Sequence, residues 1–185
     1  MLRVVIVEEQ PHAGGTANYE IWNKPEVTDL PRDLRKVIAK QPNIELRTST
    51  VAAGYYSDHW LALVDEQKLT KMRAKSVILA TGAIEQPAVF GNNDLPGVML
   101  STAAQRLIRQ YAVKPFRKGV VFTGNNQGFE AAFLMSTAGC EVEIVDLRPE
   151  HESPYGGEAA RLIREMKGVP IHFGHAVTLA LWFSG

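Results

Sequence analysis

An acidic residue that closes an apolar strand, followed shortly by a glycine pair, has the chemistry to hold a ribose. Here Val4-Val5-Ile6-Val7 runs into Glu8-Glu9, and Gly14-Gly15 follows. A strand-end carboxylate such as Glu8 accepts hydrogen bonds from both ribose hydroxyls. The glycine pair lets backbone approach a ligand with no side chain between them. By themselves, Glu8 and Glu9 better suit a solvated strand end, and Gly14-Gly15 suits a plain turn equally well. A second cluster shifts the balance. Val77-Ile78-Leu79-Ala80 reads as a buried strand, and Thr81-Gly82 stops it in a turn whose amides can meet a pyrophosphate. Together the two clusters describe the adenosine and pyrophosphate ends of a dinucleotide site, with Val51-Ala52 offering backbone groups to the adenine edge.

A third cluster begins at Gly124-Asn125-Asn126-Gln127-Gly128-Phe129, between a strand pattern and a helix pattern. It departs from G-x-G-x-x-G. Gly124 takes the first position, Asn126 stands at the second and Phe129 at the third. The second glycine admits the pyrophosphate and the third permits close helix–strand packing. Asn tolerates a left-handed turn, so the turn survives while its ligand contact is compromised. Asp146 lies 22 residues after Gly124, near the offset of a ribose acid. Arg148 beside it suits a ribose phosphate. The residues leave two readings open: a second nucleotide site through Gly124 and Asp146, or a unit that has lost its ligand.

Other chemistries find little support. The histidines at 12, 59, 151, 172 and 175 have no metal-ligand spacing, so no metal is expected. No Ser-His-Asp grouping, CxxC motif or P-loop is present, and no acid–base residue is identified. The 20 basic and 20 acidic residues cancel, which gives no steering toward nucleic acid or anionic lipid. Cys140 is the single cysteine, read as a small core residue in a reducing compartment. No stretch approaches the ~20 apolar residues of a membrane span. The cytoplasm is the expected location.

The elements that must position these residues can be read from periodicity. Strands are expected at residues 2–7, 44–46, 50–56, 60–64 and 72–79, the middle ones as a small antiparallel meander returning to a central strand. A helix is expected over residues 31–40. A helix capped by Ser101 or Thr102 carries Leu107, Ile108 and Tyr111 on one face. A strand–turn–helix–strand unit then covers 120–122, 128–138 and 142–145, a final helix 158–166, and β segments 171–173 and 176–181. Alternation of this kind belongs to α/β folds with parallel sheets. Two domains are expected: residues 1–100 as part of a first dinucleotide-binding domain with the meander, and 101–185 as a second, NAD-type Rossmann-like domain. The chain opens on what reads as a second Rossmann strand and stops within a sheet-forming region, so the fold is expected to be incomplete at both ends. Residues 1–185 alone are then expected to hold a dinucleotide weakly or not at all.

The run from Arg73 through Thr81-Gly82-Ala83-Ile84-Glu85-Gln86-Pro87, with Phe90 and Asn93-Asp94-Leu95-Pro96-Gly97-Val98-Met99-Leu100, resembles the alpha subunits of heterotetrameric sarcosine oxidase. It is also similar to related subunits of opine oxidase, amino-acid dehydrogenases and hydrogen cyanide synthase. Val7-Glu8-Glu9-Gln10-Pro11 with Gly14-Gly15 matches that family's second strand. The Leu-Pro-Gly-Val-Met-Leu run is the most specific part. The resemblance implies a glutathione-reductase-like fold with two dinucleotide-binding domains. It implies FAD or NAD as cofactor, FMN at a subunit interface, and a flavoprotein beta-type partner that oxidises a small amine such as sarcosine. A non-catalytic nucleotide-binding or assembly module, or a truncated inactive product, is the alternative.

Overall fold

The computed structural model describes residues 2–19, 30–152 and 168–181. Contacts divide the chain into two units, Met1–Asn18 with Lys24–Ala83, and Tyr19–Asn23 with Ile84–Gly185.

The first unit opens with β1 (Val4–Val7), which pairs in parallel with β2 (Ile44–Arg47), Val4 opposite Ile44 and Val7 opposite Arg47. Helix α1 (Leu30–Ala39) lies between them in the chain, as a parallel pair requires of its crossover. Its apolar stripe is not fully covered: Leu34 is 50% and Val37 55% exposed. The antiparallel meander follows, β3 (Val51–Tyr56), β4 (Trp60–Val64) and β5 (Leu69–Arg73), in that order across the sheet. Its turns have local causes. Asp58 and His59 adopt positive φ between β3 and β4. Between β4 and β5 the Asp65 carboxylate accepts the Gln67 and Lys68 amides, the side-chain mimic of a turn. Leu63 of β4 is buried.

The expected return of the meander to a central strand at 77–79 is corrected. The last meander strand ends at Arg73, and residues 74–90 form neither strand nor helix. Ile78 is 91% and Leu79 72% exposed. Four apolar residues state a preference for burial, but a strand exists only where its amides and carbonyls find a partner strand. β1 pairs with β2 and not with this segment.

The second unit is the βαβ unit that the sequence predicts. β6 (Lys118–Thr123), β7 (Glu141–Asp146) and β8 (Ile171–Phe173) form a parallel sheet in the order β6-β7-β8. Helices α2 (Ser101–Tyr111) and α3 (Gln127–Thr137) belong to it. Its core is Ala104 of α2, Val121, Phe129, Ala131, Ala132, Met135, Cys140, Val142 and Ile144. Cys140 is thus a core residue, as expected. The small side chains of Ala131 and Ala132, both fully buried, bring α3 close to the sheet. Gly139, at φ 83°, ends the helix and turns the chain into β7. Residues 176–181 do not form the expected strand; they make one bridge, Leu179 to Gly91, reinforced by Asn92 Nδ2 donating to the Ala180 carbonyl. The helix expected at 158–166 lies outside the described residues.

Candidate functional site

At the first site, β1 delivers Glu8 to its C-terminal end, and the chain after β2 wraps around it. The Glu8 amide donates to the Arg47 carbonyl, the Thr50 amide to the Glu8 carbonyl, and the Ser49 amide to the Gln10 carbonyl. Thr50 is buried and adjoins Val51, so the acid and the first residue of β3 are brought together. β3 is an edge strand, and alternate backbone groups at Val51 and Ala52 face away from β4. Glu8 Oε1 accepts the Gln10 amide at 2.9 Å. Among the described residues, Oε2 has no protein partner, which leaves an acceptor for a ribose hydroxyl. Glu9 is exposed and, among the described residues, accepts only the Gln10 side chain.

The glycine pair divides its work. A Cβ at Gly14 would sit 2.8 Å from Asn18 Nδ2 and 2.9 Å from Pro31 Cβ, and its φ of 130° is one that only glycine adopts readily. Gly14 is therefore required by packing. Gly15, at φ 52°, faces open space and is where a ligand could approach backbone. Arg35 of α1 holds this loop, donating to the Ala13 carbonyl at 2.6 Å and to Asn18 Oδ1 at 3.0 Å. Sequence reasoning missed Arg35, since nothing in spacing links it to residue 13. Gly82 has φ 72°, a Cβ there would meet nothing within 4 Å among the described residues, and Thr81 is exposed. Among the described residues no strand pairing ties Thr81 and Gly82 to β1. The structure joins Glu8 to Val51 through Thr50, while Gly14 packs against Asn18 and Pro31.

Just beyond, in the second unit, Glu85 caps α2. Its Oε1 accepts the Ser101 amide and hydroxyl at 3.0 and 2.8 Å, and its Oε2 the Thr102 amide at 2.8 Å. The expected self-cap by Ser101 or Thr102 is corrected: Leu100 is the N-cap residue and makes no side-chain cap. A carboxylate from a distant loop satisfies the orphan amides and complements the helix dipole. Burial pushes the Glu85 carboxyl up, but the hydrogen bonds from Thr102 and Ser101 outweigh it and hold it below the ordinary Glu value.

In the second unit, Asp146 ends β7 with its side chain fully buried. Its partner is internal. Oδ1 accepts the Arg148 amide at 2.9 Å and Nε at 3.0 Å, and Oδ2 accepts Nη2 at 2.8 Å. Arg148 Nη1 continues to Asn126 Oδ1 at 2.8 Å. The turn is tied as well, with Thr123 Oγ1 donating to the Asn125 carbonyl and accepting the Asn125 amide. The helix-packing glycine is Gly128, one residue earlier than the fingerprint reading: a Cβ there would lie 2.3 Å from Thr123 Cβ. Phe129 is instead fully buried in the core. Among the described residues a Cβ at Gly124 would meet only Leu147, at an ordinary 3.5 Å.

The family described as pyridine nucleotide-disulphide oxidoreductase matches residues 1–180. The chain belongs to that family. Its members are flavoprotein oxidoreductases that use FAD and NAD(P). Sarcosine oxidase subunit alpha of Rhizobium meliloti (strain 1021) is 33% identical over 180 residues, 88% of this chain and 18% of that protein. The counterpart from Corynebacterium sp. (strain P-1) is 27% identical over 164 residues, 79% of this chain. The chain thus spans under a fifth of the length of these relatives. Among solved structures, L-proline dehydrogenase from P. horikoshii superposes with a TM-score of 0.66 at 28% identity, over 78% of this chain and 30% of that one. Thioredoxin reductase from T. acidophilum reaches 0.70 at 17% identity, over 98% and 59%. At that identity the likeness speaks for the fold alone: a glutathione-reductase-like α/β fold with two dinucleotide-binding domains. Among the described residues no helix is long and apolar enough to cross a membrane.

Proposed function

We propose that this chain is the dinucleotide-holding part of an oxidoreductase subunit that serves oxidation of a small amine of the sarcosine type. The observation that carries the reading is the 33% identity to sarcosine oxidase subunit alpha, joined to a strand-end Glu8 with one oxygen that has no partner among the described residues. FAD or NAD would be held at its adenosine end by Glu8 on the ribose and by Val51 and Ala52 on the adenine edge. Gly14 shapes the loop, and Gly15 admits backbone to the ligand. Thr81 and Gly82 approach the pyrophosphate when their segment is brought to the site. Gly124 and Asp146 are the equivalent positions of the second unit, where Arg148 already occupies the acid. The bound cofactor would supply the redox chemistry, and the protein position and electrostatics.

The working assembly would include a flavoprotein beta-type subunit that oxidises the amine, with FMN at the shared interface, in the cytoplasm. A second reading, an assembly module with a structural nucleotide, draws on the bare apolar residues Ile78, Leu79, Ile84 and Val89, 72–93% exposed. Such residues mark surface that another strand or subunit covers. The absorbance spectrum of the purified full-length protein separates the two. Flavin bands at one equivalent support the oxidoreductase reading. A colourless protein carrying only an adenine mononucleotide supports the assembly module and defeats the first.

A further inference from the structure

We infer that the nucleotide crevice of the second unit is shut from within by a latch of Asp146, Arg148 and Asn126, and that this unit is a scaffold which excludes pyridine nucleotides. A dinucleotide asks two things of a Rossmann turn: a strand-end carboxylate free to accept the ribose hydroxyls, and bare backbone at the second glycine for the pyrophosphate. Both are used up here. Asp146 is fully buried and each of its oxygens is bonded to Arg148. A ribose hydroxyl would have to displace a bidentate guanidinium, the strongest of the carboxylate's possible partners. At the second position Asn126 carries a side chain, and its Oδ1 is held by the same guanidinium at 2.8 Å. One cation therefore closes the ribose end and the phosphate end together.

An independent observation comes from Gly128. The glycine that packing demands has been kept, with no room for a Cβ against Thr123. The position that only a ligand demands holds Asn126. The unit retains what folds it and gives up what binds. A reader of a ribose phosphate is also disfavoured, because the Arg148 charge is already neutralised and the buried Asp146 carboxylate beside it repels an incoming phosphate.

The test is hydrogen-exchange footprinting of the full-length protein with millimolar NADH or NADPH. No added protection is expected at residues 123–128 and 146–148 with either nucleotide. Protection there by NADH overturns the latch. Protection by NADPH that is lost in Arg148→Ala also overturns it, by making Arg148 a phosphate reader. Opening the latch with Asn126→Gly and Arg148→Ala together is expected to create NADH protection in the same segments. A double variant that keeps its circular dichroism and gains no protection refutes the latch as the cause of exclusion. If removing Arg148 from the buried acid unfolds the unit, Asn126→Gly with Arg148→Lys replaces it, since lysine keeps the charge without the planar fork. The same gain is expected and the same silence refutes.

Discussion

The two units carry the same strand-end-acid and glycine-turn plan in opposite conditions. In the second, α2, α3 and a three-stranded parallel sheet enclose a core with Phe129, Ala131, Ala132 and Ile144 fully buried, and the acid is consumed by its own arginine. In the first, β1 is half-buried along its length, α1 leaves Leu34 and Val37 half exposed, and Ile78 and Leu79 stand bare, while one Glu8 oxygen has no partner among the described residues. The difference teaches that burial and binding are separable. In the second unit the strand-end acid is bonded internally on both oxygens, which leaves it little capacity for a ligand. In the first unit the strand-end acid has one oxygen with no partner among the described residues, so it keeps that capacity.

The comparison breaks most visibly at Phe129. Phe129→Ala should cost about 3–5 kcal/mol in the second unit, because a large ring is removed from a fully closed site. Denaturant unfolding of the full-length protein measures it. A loss below about 1 kcal/mol would mean that this core is loosely packed, against what its burial implies.

Glu85 sharpens the contrast at an intermediate scale. Glu85→Ala should cost about 1–2 kcal/mol at neutral pH, the range of a lost helix cap. Its carboxyl is held below the ordinary Glu value. A depressed acid contributes stability that is fully present above its unfolded-state value and disappears as pH falls through the folded-state value. Wild type and Glu85→Ala should therefore differ near pH 7 and converge as the pH drops below the ordinary Glu range, about 4.3. Thermal melts across that window check it, and a constant difference would show that Glu85 acts by packing instead.

The smallest effect on folding belongs to Ile78. Ile78→Ser should change the stability of the isolated 185-residue chain by less than about 0.5 kcal/mol, as expected of an exposed position. In the complete assembly it should lower cofactor content or subunit association, read by flavin absorbance and sedimentation. If assembly is untouched, the bare apolar segment is not covered in the working protein.

The sequence made local structure legible wherever neighbours along the chain decide it. α1, the meander and the β6–α3–β7 unit follow from periodicity and turn residues within each segment. What could not be read depends on partners far along the chain. Val77 to Ala80 has the composition of a strand, but pairing is a property of two segments. Ser101 and Thr102 have the right side chains for a cap, yet a carboxylate 16 residues upstream of Ser101 takes the role. Glu8 and Val51 are expected together from the sequence, and a strand end and a return loop do join them, the Thr50 amide donating to the Glu8 carbonyl. The shift of the packing role to Gly128, and Arg148 turned inward onto Asp146 and Asn126, are matters of geometry that a motif does not encode.

The central claim is that Glu8, and not its neighbour, receives the ribose. Titration of the full-length protein with its native dinucleotide, comparing Glu8→Gln with Glu9→Gln, tests it most directly. Adjacent strand residues point to opposite faces, and a charge-assisted hydrogen bond is worth about 1–3 kcal/mol. Glu8→Gln should weaken binding by roughly 1–3 kcal/mol without altering the melting temperature, and Glu9→Gln should change it little. Equal losses in the two variants, or no loss in either, would contradict the assignment and place the adenosine elsewhere.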